Sequence, residues 1–267
     1  MYLSSAKIAK FCIDESVHSI IAFSNTGKAY TVKGFEIPEN ERAADGAIEN
    51  LLSLAENEQL VSAVAVNSLT DNILLLTKKG LVKRIQALEV VQSRKLGLSA
   101  ITLNAGDCLV SAAKTEAGKT AVIASFNGRA VAVDESAFKL MSKAARGMCG
   151  IKLLPEEEAF SVIVTENAFF AVSDKGMGKK MTLEDMKPSV RGGRGARIYP
   201  ADTEAGNIAF ISCADCLGEL EFLFADGTVK YKKSEAVPFK TAVSKGNKLV
   251  SADDGSALVR IEFIPET

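Results

Sequence analysis

The stretch VSDKGMGKKMTLEDMKPSVRGGRG, Val172 to Gly195, holds the unit that the rest of the chain repeats. An apolar strand, Phe169 to Val172, runs into a turn at Asp174-Lys175-Gly176 and leaves it through Lys179 and Lys180. The segment then reaches a basic glycine loop, Arg191-Gly192-Gly193-Arg194-Gly195, with Arg197 just beyond it. The signature is therefore a hairpin with a basic exit, followed by a basic loop.

The same punctuation occurs five times. Turn glycines stand at Gly27, Gly80, Gly128, Gly176 and Gly227, spaced by 53, 48, 48 and 51 residues. A second set, Gly46, Gly97, Gly147, Gly195 and Gly246, follows at offsets of 19, 17, 19, 19 and 19. Two markers sharing a period of roughly 50 residues indicate a repeat array. Each repeat opens with a short apolar strand (Ile20 to Phe23, Ile73 to Leu76, Ala121 to Ala124, Phe169 to Val172, Leu220 to Phe224) that ends at Asn, Asp or Lys close to glycine. Glycine there supplies the positive φ of a tight hairpin turn. The second strand alternates, as in Thr228-Val229-Lys230-Tyr231-Lys232, and so shows one face to water.

After the basic loop each unit returns to apolar character, as at Leu51 to Leu54, Ile101 to Leu103 and Ile151 to Leu154, and then makes an acidic or polar turn. A last strand closes it: Leu60 to Val66, Leu109 to Ala113, Phe160 to Val164, Ile208 to Ser212 and Leu258 to Phe263. About four strands per repeat describe an all-β, propeller-like blade rather than a helical hairpin. The expected organisation is a single domain over 1–267 with five to six four-stranded blades, its repeats at about 18–67, 68–115, 116–165, 166–214 and 215–267. Helical turns are expected only near Glu39 to Arg42 and Leu183 to Met186. The segment 1–17, with Ile8 to Ile13 at its centre, reads either as a closing strand of the last blade or as the remnant of a preceding one.

Composition sets the outer limits. An apolar share of 47% is ample for a core. No apolar run approaches the roughly 18 residues of a membrane span, and Lys7 and Lys10 interrupt the place of a signal peptide core; a soluble, cytoplasmic protein is expected. The formal net charge is −1, so any binding to a polyanion has to come from a local patch. The five cysteines, Cys12, Cys108, Cys149, Cys213 and Cys216, are an odd number scattered through strand-like segments, which suits reduced, buried thiols better than a disulfide framework.

Within the repeat the two signs of charge are segregated. Basic residues gather after the turn glycine (Lys28 and Lys33; Lys83 and Arg84; Arg129; Lys179 and Lys180; Lys230, Lys232 and Lys233). They gather again around the second glycine (Arg42; Arg94 and Lys95; Lys143 and Arg146; Arg191, Arg194 and Arg197; Lys245 and Lys248), while acids occupy the later turns. In a closed array the basic sites would form a belt, suited to a polyanion whose charges repeat along an arc. Arg191 and Arg194 offer forked donors for phosphate oxygens, and Gly192, Gly193 and Gly195 allow close backbone approach. The alternative reading is a protein-interaction propeller whose lysines are solvated edge guards.

The order of segments resembles the C-terminal domain of the A subunit of bacterial type II topoisomerases, most of all that of gyrase. The segments that carry the resemblance are IIAFSNTGKAY, FEIPENERAADGAIENLLSL, LLLTKKGLVKR, SFNGRAVAV, AARGMCGIKL, SDKGMGKKMTLEDM, RGGRGARI and FADGTVKY. SVRGGRG, Ser189 to Gly195, is similar to that family's seven-residue box, Gln-Arg-Arg-Gly-Gly-Lys-Gly. Ser189 and Val190 replace its first two residues, and Arg194 replaces its lysine. The resemblance implies a β-pinwheel whose basic rim bends or wraps double-stranded DNA, without a catalytic residue or cofactor of its own. It also implies nucleoid association, and partnership with the ATPase B subunit and with the catalytic domain of the A subunit. Topoisomerase IV remains an alternative to gyrase as the parent enzyme.

Other constellations are weak. Cys213-Ala214-Asp215-Cys216 is a lone pair of thiols where a zinc site needs four ligands, and the one histidine, His18, lies in another repeat. No nucleophile elbow or phosphate loop is present, and nothing marks Tyr2, Tyr30, Tyr199 or Tyr231 as a nucleophile.

Overall fold

The computed structural model of the chain describes residues 19–33, 48–186, 189–200, 205–251 and 255–266. Ile8 to Ile13, Cys12, His18, Glu39 to Arg42 and Gly46 lie outside them, so the readings made there stand as expectations. Repeat one supplies β1 (Ser19–Ser24), β2 (Lys28–Val32) and β3 (Leu60–Val66). Repeat two supplies β4 (Asn72–Thr77), β5 (Leu81–Gln86), β6 (Leu98–Ser99) and β7 (Leu109–Thr115). Repeat three gives β8 (Thr120–Ser125), β9 (Arg129–Asp134), β10 (Met148–Cys149) and β11 (Ala159–Thr165). Repeat four gives β12 (Ala168–Ser173), β13 (Met177–Thr182), β14 (Ala196–Arg197) and β15 (Ile208–Cys213). The last repeat gives β16 (Gly218–Phe224), β17 (Val229–Lys233), β18 (Asn247–Lys248) and β19 (Leu258–Pro265).

The fold class is all-β and blade-built, as the glycine period predicts. Leu183 to Met186 forms a turn rather than a helix, closed by the Met186 amide on the Leu183 carbonyl. Short 3-10 turns occur instead at Glu49–Leu51, Ala87–Glu89, Val91–Leu96, Glu135–Ala137 and Ser234–Ala236.

Sheet boundaries differ from repeat boundaries. The sheet orders are β3-β1-β2-β6, β10-β5-β4-β7, β11-β8-β9-β14, β15-β12-β13-β18 and β17-β16-β19. Each of the first four sheets thus takes its outermost strand from the repeat that follows. These donated strands are only two residues long and pair with the residues just after the turn glycine: Ala29 with Leu98, Val82 with Met148, Ala130 with Ala196, and Gly178 with Asn247. The expectation that one repeat builds one four-stranded blade is corrected here. The extended backbone lies just before the apolar return, and the apolar residues themselves, Ile101 and Ile151, are buried beyond it.

The second glycine makes this handover possible. Gly147 has φ 92° and Gly195 φ 70°, in the left-handed region that other residues enter at a cost. A Cβ on Gly147 would sit 2.8 Å from the Val82 carbonyl oxygen, and one on Gly195 would strike the carbonyl of Ala130. The fifth sheet has three strands among the described residues, which place no donated strand beside β17. Val229 is 40% exposed where its counterparts Val82 and Ala130 are 0% exposed.

By its contacts the chain divides into two compact units. One holds the described residues up to Gly118 together with Glu135–Cys149, and so contains the first two sheets. Its core joins Ile21, Phe23, Ile73, Leu75, Ile85 and Leu109, all fully buried. The other holds Lys119–Asp134 and the chain from Gly150 onward, with the last three sheets. Val122, Phe169, Ile198, Tyr199 and Ile211 pack in one cluster there, and Phe170, Leu220, Phe222 and Ile261 in another. β1 and β12 are buried along their whole length and β4 from Ile73 onward, which is why they read as continuous apolar runs rather than alternating ones.

Candidate functional site

The basic loops follow from the strand handover. Before its strand pairs with the preceding sheet, the chain must run along that sheet's outer edge. In the first unit Leu140 bridges Arg84 in parallel, and the Met141 amide donates to the Arg84 carbonyl at 2.9 Å. In the second, Phe239 bridges Lys180, whose amide donates to the Pro238 carbonyl at 2.8 Å. A basic loop thus covers an edge strand that would otherwise expose its hydrogen-bonding groups.

In the unit with the first two sheets, Lys95, Lys143 and Arg146 are exposed. Arg84 is not available in the same way: its guanidinium meets the buried Glu135 carboxylate at 2.7 Å. The backbone of Arg94 lies in the 3-10 turn Val91–Leu96, while its side chain is outside the described residues. Lys83 departs furthest from the expected surface position. Its side chain is fully buried, and its ammonium donates to the carbonyls of Ala100, Lys143 and Ala145 at 2.6, 2.8 and 3.3 Å.

In the other unit, Arg191, Arg194, Arg197, Lys233, Lys245 and Lys248 are exposed and Lys232 is half-buried. Gly192 and Gly193 form a tight turn there, the Gly193 amide donating to the Val190 carbonyl at 2.9 Å. Arg194 lies 3.7 Å from Glu157, Arg197 donates to the Asn127 carbonyl at 3.3 Å, and Lys248 to the Lys175 carbonyl at 2.7 Å. Lys180 is half covered, its ammonium 5.6 Å from the Phe170 ring centre and 5.2 Å from that of Phe239. Lys179 repeats the arrangement of Lys83. Fully buried, it donates to the carbonyls of Thr241, Ala242 and Ser244 at 2.7, 3.0 and 2.7 Å.

Burial pushes the Lys83 ammonium down to about 8, with Glu89 pulling the other way. Lys179 is likewise lowered to about 8 by burial, opposed by Asp185. The expectation that both face DNA is therefore corrected: desolvation takes them out of the surface, and main-chain carbonyls take the place of water. Sequence reasoning in turn missed Lys139, Lys152 and Lys240, which are exposed in or beside the same loops. Their position near the second glycine is the signal that marks them.

The acids of the later turns have a structural job. The Glu58 carboxylate accepts from the Ser24, Thr26 and Tyr30 hydroxyls, the Ala55 amide and the Lys28 ammonium. Asp107 accepts from the Lys79 amide at 3.0 Å, and Glu157 from the Leu154 amide at 2.7 Å and from Asn127. Each fastens a hairpin turn to the turn before the closing strand. Cys213 is held beside Asp215 at 3.1 Å, and burial pushes its thiol up to about 11; Cys149 and Cys216 are exposed, which corrects the expectation that the thiols are buried. Among the described residues no group of three or more metal-binding side chains converges, and no helix is long and apolar enough to cross a membrane.

Comparison with known proteins adds an independent line. Residues 18–67, 71–116, 121–166 and 168–214 match the family described as the DNA gyrase C-terminal domain, a β-propeller. The A subunit of DNA gyrase from Helicobacter pylori is 32% identical over 208 residues, which make up 75% of this chain and 25% of that protein. Its counterpart from Salmonella typhimurium is 25% identical over 264 residues, 97% of this chain and 30% of that protein. The chain thus spans about a quarter to a third of the length of these curated relatives. Among solved structures, the C-terminal domain of DNA topoisomerase IV aligns over 94% of this chain and 80% of its own, with a TM-score of 0.79 and 19% identity. The DNA gyrase A C-terminal domain aligns over 98% of this chain and 92% of its own, with a TM-score of 0.79 and 21% identity. At those identities the structural likeness speaks for the fold.

Proposed function

Because the chain belongs to the DNA gyrase C-terminal domain family, we propose that it binds double-stranded DNA on its basic loops and bends it, as the non-catalytic part of a type II topoisomerase. The observation that carries the reading is the placement of the cations. Loops displaced onto sheet edges by the strand handover present Lys143 and Arg146 in one unit, and Arg191, Arg197, Lys245 and Lys248 in the other.

Such contacts position a duplex without reading its sequence. Bending 20 to 30 base pairs costs about 1 to 6 kcal/mol, so several charge-assisted contacts have to act together to offset it. The net charge of −1 belongs to the whole chain, whereas a duplex would meet the local field of the exposed loop cations. In the whole enzyme the bent segment would be delivered to the catalytic domain of the A subunit, working with the ATPase B subunit on the nucleoid. The likeness to the gyrase A subunits of Helicobacter pylori and Salmonella typhimurium supports supercoiling over the topoisomerase IV alternative.

The test is a mobility-shift titration with linear duplex over a range of salt. Affinity is expected to fall steeply with salt and to be alike for unrelated sequences. R191A/R197A is expected to flatten the slope by about 2, near 0.9 for each phosphate no longer neutralised. A duplex left unshifted at low salt refutes the reading and favours a protein-interaction scaffold.

A further inference from the structure

Two buried lysines remain outside the surface just described, and their surroundings are the same. Lys83 and Lys179 are each the third residue after a turn glycine, Gly80 and Gly176. Each lies on the edge strand along which the following repeat's loop runs. An ammonium has three protons and no acceptor, and each of these finds three carbonyl oxygens within 3.3 Å.

The carbonyls belong mostly to the basic loops themselves. Lys143 and Ala145 flank the turn closed by the Ala145 amide on the Ser142 carbonyl at 3.0 Å. Thr241, Ala242 and Ser244 form the matching turn, closed by Ser244 on Thr241 at 3.1 Å. Between the Leu140 or Phe239 bridge and the start of β10 or β18 neither loop has a sheet ladder, so the lysine supplies hydrogen bonds that a ladder would otherwise give. The remaining loops are held differently. Tyr30 and Val131 occupy the equivalent position in the first and third repeats. Tyr30 bonds Glu58, and the Arg191 loop is held by Ser189, whose hydroxyl exchanges bonds with the Ala132 amide and carbonyl at 2.9 and 3.1 Å.

We propose that Lys83 and Lys179 are positioning residues for DNA: each gathers the carbonyls of the next repeat's loop inward and so fixes the cations that the loop carries, Lys143 and Arg146 or Lys245 and Lys248. The proposal rests on the DNA-binding reading above. Two physical effects follow from the geometry. Carbonyl oxygens drawn onto a buried ammonium no longer face the approaching phosphates, and a loop ordered in advance does not lose conformational entropy on binding.

The test separates positioning from direct contact. K83M/K179M keeps the length of the side chains, removes both ammonium groups and touches no exposed cation. In salt titrations it is expected to weaken duplex binding about tenfold or more through loop ordering, with the slope unchanged. K143A/R146A, by contrast, is expected to lower the slope by about 2. Amide exchange is expected to quicken at residues 141–147 and 240–246 and to stay the same at 190–195, a loop onto which neither Lys83 nor Lys179 donates. If K83M/K179M does not fold, A144G/A145G loosens one of the same loops from the other side without altering charge, and is expected to weaken binding with the same unchanged slope. Wild-type affinity in a folded variant whose loops exchange faster overturns the positioning role alone. A slope that falls with K83M/K179M also overturns it, in favour of direct contact. A wild-type chain that leaves duplex unshifted removes the DNA reading and the positioning role together.

Discussion

Replacing Glu58 by glutamine tests how the first hairpin is held, and the structure sets both the size and the pH dependence of the effect. The Glu58 side chain is wholly enclosed. One carboxylate oxygen accepts from Ser24, Thr26 and Tyr30 at 2.6, 2.8 and 2.7 Å, the other from the Ala55 amide and Lys28 at 3.1 Å each. Burial alone would raise its pKa, but the hydrogen bonds from Ser24, Tyr30, Thr26 and Ala55 outweigh it and hold the group at about 2 instead of 4.5. That difference corresponds to about 3 kcal/mol of stability carried by the ionised form.

Glutamine keeps an acceptor for Ala55 and Lys28 in its carbonyl oxygen but puts an amide nitrogen where the other oxygen accepted from three hydroxyls. That nitrogen has two protons and accepts nothing, so the three hydroxyl bonds are reversed or lost, and with them the charge they stabilised. About 1 kcal/mol for each of the three again gives roughly 3 kcal/mol. The sign with pH is fixed. The folded-state pKa lies below the unfolded one, so the stabilisation is complete above the unfolded value and disappears as pH falls through 4.5 toward 2. E58Q is therefore expected to be about 3 kcal/mol less stable at pH 7 and nearly equal to wild type close to pH 2. Urea unfolding followed by circular dichroism and tyrosine fluorescence reads this directly, since the chain has no tryptophan and Tyr30 is one of only four tyrosines. A loss below about 0.5 kcal/mol at pH 7, or one that persists at pH 2, would refute the reasoning.

Other expectations follow from single contacts. G147V places a branched side chain at φ 92° against the Val82 carbonyl; it is expected to cost about 2 kcal/mol or more and to speed amide exchange in β5, whereas unchanged exchange would mean that β10 pairs despite the clash. E157Q removes the carboxylate 3.7 Å from Arg194 and is expected to strengthen duplex binding a few-fold at low salt, converging on wild type at high salt; weaker binding would show that Glu157 acts mainly by holding the turn. Cys213, raised to about 11 by burial, is expected to react with a disulfide reagent at pH 8 far more slowly than the exposed Cys149, and C213S to leave the fast phase unaltered.

The hairpins were legible because each depends on neighbours in sequence. Ile73 to Leu76 is apolar because both faces of β4 are covered, and Gly80 follows because the turn has to close within a few residues. Local chemistry was enough for the first two strands and the closing strand of each repeat. It was not enough for the third. Leu98-Ser99, Met148-Cys149, Ala196-Arg197 and Asn247-Lys248 share no side-chain pattern, because a two-residue strand held by backbone bonds asks little of its side chains. Only the glycine in front of each betrays it, and that glycine reads equally well as an ordinary loop residue.

The same limit explains the misplaced lysines. Lys83, Lys179 and Lys230 stand at one position of the repeat, three residues past the turn glycine, and sequence gives all three the same weight as surface cations. What separates them is the next repeat. Where its loop folds over the edge strand, as onto β5 and β13, the lysine is enclosed and meets a set of carbonyls. On β17, where the described residues place no donated strand, Lys230 is only half-buried and donates to the Ser251 carbonyl at 2.9 Å. A lysine at this position is thus a surface charge or an internal fastening according to whether a neighbour's strand arrives. If a strand were supplied to the β17 edge, Lys230 should pass from the first state to the second, with loss of solvent exchange at its ammonium as the sign of it.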